Sequence, residues 1–463
     1  MRHTSSSRIA FDAVTAALAI GGAGGGRAAA QAPAGSAPQQ GPPAASGAVT
    51  LTLPDAIDRA LRASHRIGEF RARQEAATAQ VSSRAAADMP TLSLLGGYMR
   101  TNHVDEYAIP GGLLKPPTVI YPDVPDNWRT RLDLQWPIYT FGRVQALERS
   151  ARSEVTAADK DVSTSTADIR LDAARAFWAL VTAKESMRVV GEALGLVEAH
   201  LRDVKNMRDA GLLAPNDVLM VEARRSRQRV QSIEARNMHD VAEADLRRVT
   251  GLAPEVAITI DAVLEGPPAD LPAYDRLLAD ARAGRSERQA LQARVDAIGE
   301  RRTAVAAGLK PTIALAAGFD YARPNPRIFP RSAEWNDSWD VGVNVAWPLW
   351  DGGRVKADVT EVSANQRAME QRLAEFDSVL EFEVKQRRLD FEAAREAIRA
   401  ATDEVTSAAE AARVVSERFK AGLVTNTEVL DAQQALLVAQ FDRTRALAST
   451  RLAEARLDRA LGR

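Results

Sequence analysis

Two windows of the chain alternate between apolar and polar side chains. Over 128–138, Trp128, Thr130, Leu132, Leu134, Trp136 and Ile138 fall on one face, and Arg129, Arg131, Asp133, Gln135 and Pro137 on the other. Over 339–349, Trp339, Val341, Val343, Val345, Trp347 and Leu349 stand against Asp340, Gly342, Asn344 and Ala346. Each window has a shorter forerunner. Residues 312–321 place Ile313, Leu315, Ala317, Phe319 and Tyr321 on one side, and 91–99 place Leu92, Leu94 and Tyr98 against Thr91, Ser93 and Gly97. A period of two predicts strands with one apolar face. The chain should therefore carry two β-hairpins, at 90–139 and 311–350.

The rest of the pattern is helical. Val355, Val359, Val362, Met369, Leu373, Phe376 and Leu380 follow 4–3 spacing, and Val384, Phe391, Ile398, Val405, Ala412 and Phe419 recur every seven residues. Such a seam packs one helix along another. Prolines bound the helical stretches, as their exclusion from helix interiors requires. Six main helices are predicted at about 54–88, 142–209, 216–250, 273–308, 353–420 and 426–461. The two longest hold about 70 residues each. That is roughly 100 Å at 1.5 Å per residue, too long for an ordinary globule.

The order repeats. Trp136-Pro137 and Gly142-Arg143-Val144 match Trp347-Pro348 and Gly353-Arg354-Val355 at an offset of 211, as Ala210-Gly211-Leu212 matches Ala421-Gly422-Leu423. Pro90-Thr91-Leu92 matches Pro311-Thr312-Ile313 at an offset of 221, so the first hairpin has the longer loop. Two structural repeats result, 51–252 and 273–463, joined by a linker at 253–272. Each runs helix, hairpin, long helix, helix.

Strands of about ten residues with one apolar face and aromatic ends suit a membrane β-barrel. Trp128, Trp136, Trp339 and Trp347 would form its aromatic girdle. Four strands cannot close alone, and open edges are not tolerated in lipid. Two copies give eight strands with a filled interior. Three give twelve and room for water, which suits inner faces bearing Arg129, Arg131, Asp133 and Asp340.

Composition narrows the chemistry. A net charge of −1 over 463 residues gives no reason to expect a nucleic-acid partner, and the absence of cysteine excludes disulfides and thiolate metal sites. The five histidines, at 3, 65, 103, 200 and 239, show no ligand spacing, and no glycine-rich phosphate loop stands before a helix, so neither metal, cofactor nor enzymatic activity is expected. Arg2 and Arg8 before an apolar run and Ala28-Ala29-Ala30 predict a signal peptide over 1–30, followed by a flexible lead-in over 31–50.

The seams and the tip turns, Met207–Leu219 and Arg418–Asp431, resemble those of the outer membrane efflux protein family, the TolC-like ducts of the Gram-negative envelope. The resemblance implies a mixed fold: a membrane β-barrel continued by a long α-helical coiled-coil barrel, four strands and six main helices per protomer, assembled as a homotrimer. It implies a passive porin-like channel in the outer membrane lipid, its helical barrel in the periplasm, with a periplasmic adaptor and an inner-membrane pump as partners. It makes 253–272 part of an equatorial belt and the tips, Gly211, Leu212, Gly422 and Leu423, the adaptor's docking point. It places Glu428 and Asp431, with Asp217 as their equivalent, around the aperture, where crowding should raise carboxyl pKa values. The Tyr and Arg that close the best-known tip align with Phe419 and Val424, so those links are missing here. Efflux of small molecules is the leading expectation. An exit duct for type I protein secretion and a non-channel coiled-coil scaffold are the alternatives.

Overall fold

The computed structural model describes residues 49–112, 116–264 and 270–463. The signal peptide at 1–30 and the lead-in up to residue 48 lie outside the described residues. In chain order the elements are β1 (Val49–Leu51), α1 (Leu53–Ala63), α2 (His65–Ala85), β2 (Thr91–Arg100), β3 (Tyr107–Ile109), β4 (Thr118–Tyr121), β5 (Asp126–Tyr139) and α3 (Arg143–Asp209). There follow α4 (Pro215–Thr250), β6 (Ile258–Ile260), α5 (Tyr274–Gly284), α6 (Ser286–Ala306), β7 (Thr312–Arg323), β8 (Asn336–Ala346), α7 (Arg354–Lys420) and α8 (Asn426–Ala460).

Eight helices replace the six expected among the described residues, because the first helix of each repeat is broken. The breaks fall at Ser64 (φ −70°, ψ 113°) and Arg285 (φ −69°, ψ 111°), 221 positions apart. Ser64 ends α1 and caps α2, its hydroxyl accepting from the Ile67 amide. Nothing caps α6 in this way, but the buried Arg285 guanidinium pairs with Glu287 at 3.2 Å and Glu383 at 3.1 Å. The end of a later helix seats against each break. A Cβ at Gly251, the αL cap of α4, would lie 2.5 Å from Ala63 Cβ. A Cβ at Gly284 would lie 2.5 Å from the Leu461 carbonyl oxygen.

Four strands form the main antiparallel sheet, in the order β2–β5–β7–β8. Four more were not expected. The long first loop carries the β3–β4 hairpin, and β1 pairs in parallel with β6 of the linker. The lead-in is thus anchored from Val49 onward. The last main strand ends at Ala346, so Trp347 and Leu349 lie beyond it. In both repeats the seam Trp ties the strand end to the preceding turn. Trp136 Nε1 donates to the Asp88 carbonyl at 3.1 Å, and Trp347 Nε1 to the Leu309 carbonyl at 3.2 Å.

The helices pack in a fixed neighbour order. On the sheet side α3 lies between α2 and α6, and α6 contacts α7; beyond, α3 lies between α4 and α8, and α8 contacts α7. The heptad seam is real: Val384, Phe391, Ile398 and Phe419 are buried. The largest core gathers Leu51, Phe177, Leu180, Leu246, Ile260, Ile398 and Leu447, with the β1–β6 pair laid over it. Burial of each such side chain is worth about 1.5–3 kcal/mol.

Candidate functional site: the sheet face and the helical tips

Cross-strand register separates the two faces of the sheet. Leu94, Leu132, Phe319 and Trp339 are in line across four strands, as are Leu92, Leu134, Ala317 and Val341. All but Ala317 and Leu134 are more than a third exposed in the protomer, and Val343 is 61% exposed. A broad apolar face of this kind needs an apolar medium.

The opposite face carries an ion network. Asp133, Gly318 and Asp340 are in line, and the Arg131 guanidinium lies over Gly318 between them. Arg131 pairs with Asp133 at 3.0 Å, Asp340 at 3.1 Å and the buried Asp320. Arg129 reaches Asp320 at 2.7 Å, and Arg327 reaches Asp340 at 2.9 Å. Three arginines thus face three aspartates. A Cβ at position 318 would come within 2.1 Å of Arg131 Nη2, so glycine is what leaves room for the network.

The tips are two matching helix hairpins. Gly211 and Gly422 both stand at φ 73°, immediately after helix C-caps. Leu212 N donates to Met207 O and Gly211 N to Arg208 O; Leu423 N donates to Arg418 O and Gly422 N to Phe419 O. These are paired Schellman turns, closed by a residue that tolerates positive φ. They leave Leu212 and Leu423 exposed at the apices, at 69% and 68%.

The acidic residues of the tips do different things. Glu428 is the return arm of a capping box: its Oε1 accepts from the Thr425 amide at 3.0 Å and hydroxyl at 2.9 Å. These bonds hold its carboxyl below the ordinary glutamate value, with the Arg418 charge adding to the effect. The crowding expected to raise it is therefore opposed within the protomer. Asp431 is exposed and offers countercharge to half-buried Arg224 of α4. Asp217, half-buried in the first turn of α4, meets α8 through its backbone, its carbonyl accepting from Asn426 Nδ2 at 3.3 Å.

Buried His200 and Asn426 at this meeting point were not foreseen. The Thr425-x-x-Glu428 signature was present in the sequence and marks the start of α8. Among the described residues, one histidine meets two carboxylates: His239, Asp240 and Glu243 bring ligand-type atoms within 4.8 Å of one another. Arg247 already occupies Glu243, at 2.6 Å.

Comparison with known proteins settles the family. The family model for the outer membrane efflux protein matches residues 56–252 and 277–463, nearly the extents of the two repeats. The chain belongs to the outer membrane efflux protein family. Family membership makes it an efflux channel component of the outer membrane, with its helical barrel in the periplasm. Among curated relatives, the outer membrane protein TolC of Vibrio cholerae is 22% identical over 393 residues, covering 84% of this chain and 86% of that one. Among solved structures, VceC of Vibrio cholerae superposes with a TM-score of 0.72 at 21% identity, over 89% of this chain and 96% of that one. CusC, described as forming a transmembrane channel, gives 0.74 at 16% identity over 89% and 92%. At these identities the superpositions establish the TolC-like fold.

Proposed function

We propose that three copies of the chain close into one twelve-stranded barrel and act as a passive duct for small molecules, fed by a periplasmic adaptor and an inner-membrane pump. The sheet carries this reading. It has two free edges, β2 and β8, one apolar face and one charged face. Its strands alternate in direction, so β8 of one copy can continue antiparallel to β2 of the next. The same head-to-tail relation suits the helices, where α7 borders one side of the protomer and α2 and α4 the other. Twelve strands rather than eight leave space for the Arg131 network on the inner face. The exposed apolar apices at Leu212 and Leu423 offer the adaptor a contact, and Asp217, Glu428 and Asp431 stand beside them as the aperture carboxylates.

The test is the mass of the detergent-solubilised protein together with its conductance in planar bilayers. A trimer with discrete single-channel currents is expected. A stable, water-soluble monomer without currents would overturn the reading in favour of a coiled-coil scaffold. Reconstitution with the pump then separates small-molecule efflux from protein secretion, because only the former exports a small dye.

A further inference from the structure

The two tip hairpins meet in a cluster of Val197, Leu201 and Val204 from α3, Val218 and Val221 from α4, Phe419 from α7 and Val429 from α8. Buried among these helices are two polar side chains, His200 and Asn426, at 5% and 4% exposure. His200 Nε2 and Asn426 Oδ1 are 2.7 Å apart. Asn426 Nδ2 donates to the Asp217 carbonyl, which assigns Oδ1 as the acceptor and Nε2 as a protonated ring nitrogen. The His200 ring meets Phe419 edge-on, with centroids 5.0 Å apart. One polar pair thus touches all four helix ends, while each hairpin is closed by its own Schellman turn and the pairs Lys420–Asp203 and Arg224–Gln434 also cross between them.

We propose that His200 and Asn426 form a protonation-sensitive latch between the two hairpins, and that acidification of the periplasm loosens the tip through it. A neutral imidazole needs one acceptor here, whereas the imidazolium brings a second donor and a full charge into an apolar cluster. The charged groups on the same helix ends are Glu198, Arg202, Asp203, Lys205, Arg208 and Asp209 on α3, Asp217, Glu222, Arg224 and Arg225 on α4, Glu417, Arg418 and Lys420 on α7, and Glu428 and Asp431 on α8. Several are already engaged: Lys205 with Glu222 at 2.8 Å, Lys420 with Asp203 at 3.9 Å, Arg208 with Asp209, Glu417 with Arg413, and Glu428 with Thr425. Burial pushes the His200 imidazole below its ordinary value, outweighing the Asn426 hydrogen bond and the Asp203 charge, which pull it up. The closed tip then binds fewer protons than the separated one. Its stability is complete above the ordinary value of 6.5 and falls as the pH drops below it.

The latch is internal to one protomer, and only its effect on flow rests on the duct reading. Hydrogen exchange of the full-length protein in detergent, corrected for the intrinsic pH dependence of exchange, reads it directly. Protection of the amides at both tips should fall about tenfold per pH unit over the window in which His200 resists protonation. His200→Gln keeps a donor toward Asn426 without titrating, and should abolish that slope. An unchanged slope in His200→Gln, or wild-type protection that stays flat down to pH 5, overturns the proposal. Bilayer currents at the same pH values separate the two readings. Tips that loosen in a protein that never conducts sink the duct and keep the latch; a conducting protein with flat protection does the reverse.

Discussion

Placing arginine at two successive positions of β8 tests the orientation of the whole sheet. Val343 is 61% exposed and aligned with Leu315 of β7, which is aligned with Trp136 of β5. It stands four residues from Trp339 along the chain, about 13 Å at 3.3 Å per residue. That is the middle of an apolar band roughly 25 Å tall. Val343→Arg should cost about 2–4 kcal/mol per protomer, a factor of roughly 30 to 900 in the folding equilibrium. Asn344 shares the face of Asp340 and Gly342. Arginine there stays in water, and a surface change of that kind moves stability by only about 0.5 kcal/mol. Folding into lipid vesicles over a urea series, followed by tryptophan fluorescence and by the heat-sensitive gel mobility of folded barrels, measures both variants. Equal shifts in the urea midpoint would mean that the faces or the register are wrong, since a slip of one residue exchanges them.

Three further outcomes are expected. Gly251→Ala forces alanine into φ 66° and brings its Cβ within 2.5 Å of Ala63 Cβ; it should lose about 2–4 kcal/mol in thermal or urea melts, and adding Ala63→Gly should restore the steric share but not the strain. Gly318→Ala should push Arg131 away from Asp133 and Asp340 and change the ion selectivity of single channels, whereas Gly342→Ala, with nothing within 4 Å of its Cβ, should not. At the tip, Glu428→Gln with Asp431→Asn should reduce cation preference and block by multivalent cations; because Thr425 and Arg418 hold the Glu428 carboxyl low, its contribution to tip stability should persist above the ordinary carboxyl range and disappear only as pH falls through that lowered value.

The periodic parts of the fold were readable because alternation and heptads state directly which face is covered. The helix breaks were not, since neither Ser64 nor Arg285 is a strong breaker. Ser64 acts as a cap only because the chain turns there, and the Arg285 turn is held by contacts with Glu287 and Glu383. The parallel pairing of Val49–Leu51 with Ile258–Ile260 joins segments more than 200 residues apart, and three-residue strands leave no period to detect. At the tips, glycine chemistry announced the turns, yet nothing in the one-dimensional pattern marked His200 as the partner of Asn426. That pairing spans 226 positions and depends on how two hairpins lie side by side.

The two free sheet edges also have a genetic consequence. In the proposed head-to-tail trimer every copy would use a different edge toward each neighbour, so a chain spoiled at β8 alone would still offer a sound β2. Such a chain would join a ring and prevent its closure. If half of the chains in a cell carried the defect and mixed freely, only about one three-copy ring in eight would be free of it. Edge mutations should therefore be dominant over the wild-type allele, while a mutation that unfolds the chain before assembly should be recessive.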